Sequence, residues 1–180
     1  MACLIFFTSD QHYYHHNMLM FRFNEEQQRL FKTTDEMHRV LRKRHNERVE
    51  PNDTVYHLGD FAYGPGAKSW TQIQALLQGL NGTHHLILGN HDHIDPFKYV
   101  EAGFASVHTS LTLPLELPEC RQEITLIHDP ACAGVLTDKR FIHGHTHSLG
   151  KRLNDNTYCV CVELTDYYPV ALTEISFREE

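Results

Sequence analysis

The amino-acid sequence predicts an α/β fold, built as a layered sandwich with a mixed sheet or a pair of packed sheets. Three observations support this prediction. Short apolar runs are bounded by glycine and polar residues, as in strands that are buried on both faces. Amphipathic segments of helical period separate the early runs from one another. The later runs follow each other without long helices between them.

The apolar runs indicate where the strands lie. Several of them finish in His, Asp or Asn, and the loops that follow strands are where a rigid sheet presents functional side chains. We therefore expect the functional residues at strand ends. The strands are expected within residues 4–12, 54–60, 85–92, 110–117, 123–128, 140–144 and 157–164.

Two segments have the pattern of amphipathic helices. Residues 33–46 begin with Thr33 and Glu36 at the spacing of a capping box. Residues 67–80 place Trp70 and several aliphatic residues on one face, and Asn81-Gly82 is a helix stop. The basic run 38–48 is typical of a solvated helix face, so that its histidines, His38 and His45, are expected to face water.

The size and charge of the chain narrow the classes of function. At 180 residues and 41% hydrophobic content, the chain is predicted to form one globular domain spanning residues 1–180. Its net charge of −7 argues against a protein held on nucleic acid or an anionic membrane by counterion release. An acidic protein that handles phosphate needs a local positive centre, and bound metal ions would supply one.

Cysteine usage indicates a reducing compartment. The chain has five cysteines, an odd number, and no CxxC pair. The first apolar run ends at Thr8, too short for a signal peptide or a membrane span. We expect a cytoplasmic location, free thiols and no membrane partner. Cys159 and Cys161 alternate in a strand-like run and are expected to pack in the core rather than to bind metal.

The strand-end residues supply carboxylate, amide and imidazole ligands but no thiolate. Such a set suits Mn, Fe, Ni, Co or Zn, and the identity of the metal stays open. Because a structural zinc site has four ligands, often cysteines, eight such groups fit a pair of divalent ions better. They are Asp10, His12, Asp60, Asn90, His91, His128, His145 and His147.

The run "FIHGHTHS" (141–148) has a histidine at every second position. Because an extended chain has a period of two, His145 and His147 point the same way and could each bind one of two adjacent metal ions. Gly144 would let the backbone approach the site. His143 precedes this pair and is expected to be a packed, supporting residue rather than a ligand.

Five blocks of these residues occur in an order that resembles the calcineurin-like metallophosphoesterases, in particular their small single-domain bacterial and phage members. The resemblance covers residues 4–177. It implies a layered αββα sandwich with mixed sheets. The blocks are Asp10-Gln11-His12, Gly59-Asp60, Gly89-Asn90-His91-Asp92, His128 and Gly144-His145-Thr146-His147.

The resemblance also implies a role for each residue. Asp60 would bridge two metal ions. A metal-bound hydroxide would attack phosphorus in line, and His91 would stabilise the transition state or protonate the leaving alkoxide. Asp92 would either orient His91 or cap the following turn. The first ion would be held by Asp10, His12 and His147, and the second by Asn90, His128 and His145.

The segment "HYYHHN" (12–17) departs from the family pattern. Relatives commonly carry Phe-Gly-His here, so His15 matches the histidine whereas Tyr14 stands where glycine is usual. The effect of Tyr14 on the loop stays open. We hypothesise that His15, Asn17 and Arg22 contact the substrate, with Arg22 holding a phosphate oxygen. The alternative is a surface loop with chance polar residues.

The sequence therefore predicts a dinuclear metal-dependent phosphoesterase acting on a small phosphate ester, with phosphodiesters favoured over monoesters. One alternative is a nuclease, with nucleic acid as a substrate only, although the net charge does not favour it. The other is a non-catalytic interaction scaffold, which the presence of His91 and of every ligand position disfavours. The physiological substrate and the oligomeric state stay open.

Overall fold

The computed structural model describes residues 3–20, 25–116, 121–133 and 139–177. Its α-helices are α1 (Glu25–Leu30), α2 (Thr34–Asn46), α3 (Trp70–Leu77) and α4 (Pro96–Ala102). Its strands are β1 (Ile5–Thr8), β2 (Thr54–His57), β3 (Thr83–Ile87), β4 (Ser106–His108), β5 (Leu111–Glu116), β6 (Arg121–Leu126), β7 (Arg140–His143), β8 (Thr157–Cys159) and β9 (Val170–Ala171). Short 3₁₀ turns include 16–19, 65–68, 147–149 and 162–165.

The strands form two mixed sheets. The first sheet has the order β4-β3-β2-β1-β9, in which β1 to β4 pair in parallel and β9 is antiparallel to β1. The second sheet has the order β5-β6-β7-β8, in which β6, β7 and β8 pair in parallel and β5 is antiparallel to β6. The predictions of an α/β fold and of mixed sheets are therefore confirmed.

The two sheets pack face to face across an apolar core. Phe7, Leu58 and Ile87 contribute to this core from the first sheet and the loop after β2, and Ile124 and Ile142 contribute from the second. All five are fully buried. This burial explains why the strands read as continuous apolar runs rather than as an alternating pattern.

The helices pack on the outer face of the first sheet. Met37 of α2, Ile73 of α3 and Tyr99 of α4 are buried in one cluster with Leu86 of β3. In the described ranges no α-helix contributes to the core between the sheets, and the second sheet exposes Glu123 on its outer face. Of the expected αββα arrangement, the described residues therefore show the two packed sheets and the helices on the first sheet, and they contain no α-helix between β5 and β8.

The two predicted helices differ from the structure in detail. The Thr33 hydroxyl accepts a hydrogen bond from the N–H of Glu36 at 3.2 Å, which confirms the cap, but the Glu36 carboxylate accepts from the N–H of Lys32 instead of Thr33. The second helix starts at Trp70 because a 3₁₀ turn occupies 65–68. Trp70 is 37% exposed, so its predicted place on the buried face is wrong.

Parallel pairing aligns the carboxyl ends of the central strands at one edge of each sheet. A parallel bridge between Ser9 and Cys161 joins the two sheets there. The loops after β1, β2 and β3 therefore meet the loops after β6 and β7 at a common edge. This is the position at which open α/β sheets bind ligands.

Candidate metal centre

The residues predicted as ligands converge on Asp60, whose carboxylate is 2% exposed. The Oδ2 atom of Asp60 lies 3.6 Å from Nε2 of His12 and 3.5 Å from Nε2 of His128. Nε2 of His91 lies 4.0 Å from the same oxygen. Two predicted ligands from different loops thus direct imidazole nitrogens at one carboxylate oxygen, as expected if Asp60 is shared between two ions, and His91 lies beside them.

A first group of ligand atoms belongs to Asp10, His12 and His147, whose atoms all lie within 4.8 Å of one another. Oδ1 of Asp10 is 3.8 Å from Nε2 of His12 and 3.5 Å from Nε2 of His147. This oxygen is buried and has no hydrogen-bond partner. A buried carboxylate oxygen without a hydrogen bond, facing two imidazoles, fits a metal ligand.

A second group lies on the other side of Asp60. Nε2 of His128 is 3.0 Å from Oδ1 of Asn90 and 3.2 Å from Nδ1 of His145. Metal–ligand bonds of about 2 Å bring neighbouring ligand atoms to roughly 3 Å from one another, so these spacings fit a common ion. The structure thus contains buried clusters of Asp and His that could hold metal ions, and five predicted ligands belong to them: Asp10, His12, Asp60, His128 and His147. The other two, Asn90 and His145, are more exposed and contact these clusters through His128.

Hydrogen bonds at the outer nitrogens orient two of the imidazoles. Nδ1 of His128 contacts the carbonyl oxygen of Leu58 at 2.8 Å, which directs Nε2 towards Asp60. Nδ1 of His147 contacts Oε1 of Glu163 at 3.1 Å, which directs Nε2 towards Asp10. Such outer contacts fix the tautomer of a ligating histidine and increase its basicity.

Glu163 was missed at the level of sequence. Its side chain is almost completely buried, and burial raises the pKa of its carboxyl while His147 acts to lower it. The available signal was an acidic residue inside the apolar run 157–164, where a buried carboxylate requires a partner. The partner, His147, is brought in by the fold.

Backbone conformation sets this edge of the molecule apart. Positive φ values are uncommon for residues other than glycine, and such residues cluster at functional sites. Five predicted ligands have φ values between 41° and 69°. This left-handed backbone occurs in the loops after β1, β2 and β7. The five are Asp10, His12, Asp60, His145 and His147.

Two glycines of the motifs allow the loops to approach one another. A Cβ atom on Gly144 would lie 2.5 Å from Oδ2 of Asp10 and would also overlap Oγ of Ser9. A Cβ atom on Gly89 would lie 2.5 Å from the backbone nitrogen of Asp60. Each glycine is thus required by close contact with a ligand-bearing loop.

The protonation states of the first group follow from burial and from neighbouring charges. Burial lowers the pKa of His12 to about 3, so this imidazole is neutral and able to ligate. Burial would also lower the pKa of His147, but the hydrogen bond and charge of Glu163 outweigh it and raise that pKa to about 9. A metal ion bound at His147 would therefore displace a proton.

The pKa values of Asp10 and Asp60 shift in opposite directions. Burial acts to raise the pKa of Asp10, but the charges of His128 and His147 outweigh it and lower that pKa. For Asp60, burial raises the pKa more than the charge of His128 lowers it. Asp60 therefore lies where a negative charge has too little compensation, a condition that bound cations would relieve.

His91 is predicted to act on the phosphate, and it lies beside the ligands at the edge of the site. Its imidazole is 33% exposed, whereas the imidazole of His12 is 4% exposed. Its backbone N–H donates to Oδ1 of Asp60 at 2.8 Å, and its ring packs edge-on against Tyr63 at 4.4 Å between centroids. His91 is thus held in place and remains open to a ligand.

Asp92 supports the loops of the site. It accepts hydrogen bonds from the backbone N–H groups of Asp60 at 2.8 Å, Phe61 at 3.1 Å and Gly89 at 2.9 Å. Burial raises the pKa of Asp92 to about 7, against the lowering effect of the Gly89 N–H. These contacts tie the loop after β2 to the loop after β3, so Asp92 positions Asp60 and His91 through the backbone.

The first loop holds a tyrosine in a conformation that suits glycine. Tyr14 has φ = 69°, in the left-handed region that favours glycine. Its N–H donates to Nε2 of His38 at 2.8 Å, and its ring packs edge-on against that imidazole at 4.8 Å. His38 thus stabilises the loop. The prediction that it faces water is wrong.

Two of the three predicted substrate residues lie in the described part of this loop. The ring of His15 packs 5.3 Å from that of His12 and 4.3 Å from that of Tyr63, at the rim of the site. Asn17 is exposed on the 3₁₀ turn 16–19. Arg22 lies outside the described residues.

His143 and the two strand cysteines are packed, as predicted. His143 is 0% exposed and its Nδ1 contacts the carbonyl oxygen of Gly144 at 2.8 Å. Cys159 and Cys161 are fully buried free thiols. The Cys161 thiol donates to Oδ2 of Asp10 at 3.1 Å, so it supports a ligand in addition to filling the core.

Three further histidines, which are not predicted ligands, are buried at the first sheet and its helices. Nε2 of His57 contacts Nδ1 of His84 at 3.1 Å, and Nδ1 of His57 contacts the Gln11 amide at 3.0 Å. His57 packs below the site as predicted. His45 was expected to face water but is 5% exposed, and its Nε2 contacts the carbonyl oxygen of Asn81 at 2.8 Å.

Two clefts lie beside the candidate metal centre, one lined by predicted ligands and the other by His91. The first, of about 660 Å³, is lined by Asn90, His128 and His145 together with hydroxyl side chains. The second, of about 570 Å³, is lined by His91 and Tyr63. We call them the hydroxyl cleft and the Tyr63 cleft.

In the described part of the chain, no helix combines the length and the apolar character needed to cross a lipid bilayer. The clusters of Asp and His described above lie in loops at the common edge of the two sheets.

Comparison with known proteins shows a shared fold but names no activity. No protein-family model matches the chain. The chain is similar to the uncharacterized protein MJ1445 of Methanocaldococcus jannaschii, with 29% identity over 93% of this chain and 86% of that protein. The solved structure of the Aquifex aeolicus protein of unknown function AQ665 has a TM-score of 0.68 and 23% identity, over 94% of this chain and 96% of that one. This chain therefore shares its overall fold with AQ665.

Proposed function

We propose that this chain is a dinuclear metal-dependent phosphoesterase of the calcineurin-like type, with phosphodiesters preferred over monoesters. One observation carries the proposal. Six predicted ligands from four loops lie near the buried carboxylate of the seventh, Asp60, with imidazole nitrogens at 3.5 Å and 3.6 Å from its Oδ2 atom. The order of the five sequence blocks and the αββ arrangement of the two sheets support the same assignment.

The two groups of ligand atoms support a division between two ions. Asp60 would be shared between them, since His12 of one group and His128 of the other both contact its Oδ2 atom. Mn, Fe, Ni, Co and Zn all suit this set of ligands. The first ion would be held by Asp10, His12 and His147, and the second by Asn90, His128 and His145.

Bound divalent ions would supply Lewis acidity towards a phosphate oxygen and would lower the pKa of an attacking water. The chain would supply orientation and a proton. His91 lies beside the ligands with a partly exposed imidazole, where it can donate to the oxygen that leaves phosphorus. Asp92 would hold His91 and Asp60 in register through its backbone contacts.

A cytoplasmic location is part of the proposal. Cys3, Cys132, Cys159 and Cys161 are all free thiols, as expected in a reducing compartment. The substrate would then be a cytoplasmic phosphate ester.

The test is a panel of metals against substrates. Metal-free protein is reconstituted with each divalent ion and assayed on aryl phosphomonoesters, aryl phosphodiesters, cyclic nucleotides and short oligonucleotides. We expect hydrolysis that requires metal, and a fall of about 10²-fold or more for His91→Ala on cyclic nucleotides, whose leaving group is an alkoxide.

His85→Ala is the matched control, because His85 is half-buried in the middle of β3 and pairs with Ser106 of β4, away from the predicted ligands. Its activity is expected to equal that of the parent. Bound metal without turnover of any substrate would contradict the proposal and would favour the non-catalytic scaffold. Hydrolysis confined to oligonucleotides, with salt-sensitive binding, would identify a nuclease instead.

A further inference from the structure

The two clefts differ in chemistry, and this difference bears on the substrate. The hydroxyl cleft combines apolar side chains, such as Leu88 and Phe141, with four hydroxyl side chains and one charge of each sign, which are those of Thr109, Ser110, Thr112, Thr125, Asp129 and Lys139. The Tyr63 cleft is more apolar: it contains Tyr63, Ala67 and Ile94, with Lys68 as its cation. A phosphate bound between them could carry a different group on each side.

His91 determines which cleft receives the leaving group. A proton donor must lie within hydrogen-bond reach of the departing oxygen. His91 lines the Tyr63 cleft, and its ring packs against Tyr63 at 4.4 Å between centroids. The departing alcohol or phenol therefore belongs in the Tyr63 cleft, where an aromatic ring and aliphatic side chains suit a planar or apolar group.

The other ester group then lies in the hydroxyl cleft, on the side of His128 and His145. Hydroxyl side chains both donate and accept hydrogen bonds, so they can pair with the hydroxyls of a polar group. Thr112 and Thr125 already pair with each other at 2.9 Å across β5 and β6 on the exposed face, which holds both hydroxyls at the cleft wall. Lys139 and Asp129 add one charge of each sign.

We infer that the substrate is a phosphodiester with two unlike groups: a hydroxyl-bearing, sugar-like group retained in the hydroxyl cleft and a planar or apolar leaving group in the Tyr63 cleft. This inference rests on the proposed function. On this inference, a monoester would fill only one of the two clefts. It also assigns Thr125 and Lys139 as residues that determine specificity.

The test uses three substrates that release the same p-nitrophenol. They are p-nitrophenyl phosphate, ethyl p-nitrophenyl phosphate and thymidine 5′-(p-nitrophenyl) phosphate. We expect kcat/KM for the thymidine ester to exceed that for the ethyl ester about tenfold, as one or two hydrogen bonds provide. Thr125→Val and Lys139→Ala should each bring this ratio towards one. Thr71 on α3 lines neither cleft, so Thr71→Val should leave this ratio unchanged.

Binding provides a second readout that does not need turnover. Calorimetry of the metal-loaded protein with thymidine 5′-phosphate and with ethyl phosphate should show about tenfold tighter binding of the former, and Thr125→Val should remove the difference. The inference is overturned if Thr125→Val and Lys139→Ala both keep the parent's ratio of thymidine ester to ethyl ester. A change of that ratio in Tyr63→Leu alone would place the thymidine group in the Tyr63 cleft instead. In those cases metal-dependent hydrolysis of the monoester would still support the proposed function. Tighter thymidine binding without any turnover would reject the proposed function, and with it the assignment of a leaving group, and would leave only the hydroxyl cleft as a binding site.

Discussion

Oδ2 of Asp92 accepts a hydrogen bond from the backbone N–H of Asp60 at 2.8 Å, so the residue after His91 holds the carboxylate on which the ligands converge. The same carboxylate accepts from Phe61 and Gly89. Three N–H groups from two loops thus depend on one buried side chain. The position of Asp60 is set by the loop after β3 as well as by its own strand.

Replacing Asp92 by asparagine should change how the stability of the metal-free protein depends on pH. Because burial raises the pKa of Asp92 to about 7, the folded protein keeps a proton that the unfolded chain releases near pH 4, and the parent loses stability as the pH rises towards 7. Asparagine does not titrate. Between pH 5 and 8, the free energy of unfolding in urea should therefore fall by about 2–3 kcal/mol more in the parent than in Asp92→Asn. Asp155→Asn at an exposed site should follow the parent, and a parallel profile for Asp92→Asn would contradict the prediction.

Removal of the Glu163 carboxylate should weaken metal binding without unfolding the chain. Glu163 contacts Nδ1 of His147 and directs Nε2 of that ring towards Asp10. Glu163→Ala should lower the affinity for one ion about 10- to 100-fold. Glu163→Gln should lie between this variant and the parent, because its amide oxygen can still accept. The exposed Glu47 provides the control as Glu47→Gln, and calorimetric titration is the measurement. Unchanged affinity in Glu163→Ala would refute the role.

The buried pair His57 and His84 should make the protein sensitive to acid. Burial lowers the pKa of His84 to about 4 and holds that of His57 well below its ordinary value. Unfolded histidine binds a proton near pH 6.5, so the stability that these neutral rings contribute is complete above that pH. It is lost as the pH falls towards 4.

The change with pH in His84→Gln, compared with the parent, isolates this effect. Between pH 7.5 and 4.5, the unfolding free energy of metal-free parent protein should fall by about 2–3 kcal/mol more than that of His84→Gln. Both proteins retain the same ligand residues, so the titration of the metal centre cancels in the comparison. Parallel pH profiles would contradict the prediction.

His91 should matter most for leaving groups that need a proton. A p-nitrophenolate departs readily without protonation, whereas an alkoxide does not. In His91→Ala we expect losses of about 10²- to 10⁴-fold for alkyl leaving groups. For p-nitrophenyl esters the loss should be under about 10-fold. Equal losses for both classes would show that His91 stabilises charge on phosphate instead of donating a proton.

The strands and the ligands could be predicted because both are encoded locally. Runs that are apolar on both faces identify β1, β2 and β3, and each run ends at a polar residue that belongs to the site. The parallel pairing that brings the strand ends together follows from the alternation of strands and helices. For these reasons the convergence around Asp60 could be expected from the sequence.

What was missed depends on contacts between distant segments. Glu163, Tyr63 and the burial of His45 follow from packing between elements that no local pattern links. The short strands β4 and β9 have too few residues to show a period. Helix α4 did have local signals, with Asp95 as its N-cap, Pro96 in its first turn and Gly103 after its end.

The number of metal ions per chain tests the central claim most directly. Metal-free protein titrated with Mn²⁺ or Ni²⁺, and analysed for bound metal after dialysis, should take up about two ions per chain, as a two-metal site requires. Asp60→Asn should weaken both, because its Oδ2 atom faces His12 of one group and His128 of the other. A single ion per chain, or two ions still bound tightly in Asp60→Asn, would contradict a dinuclear centre bridged by Asp60.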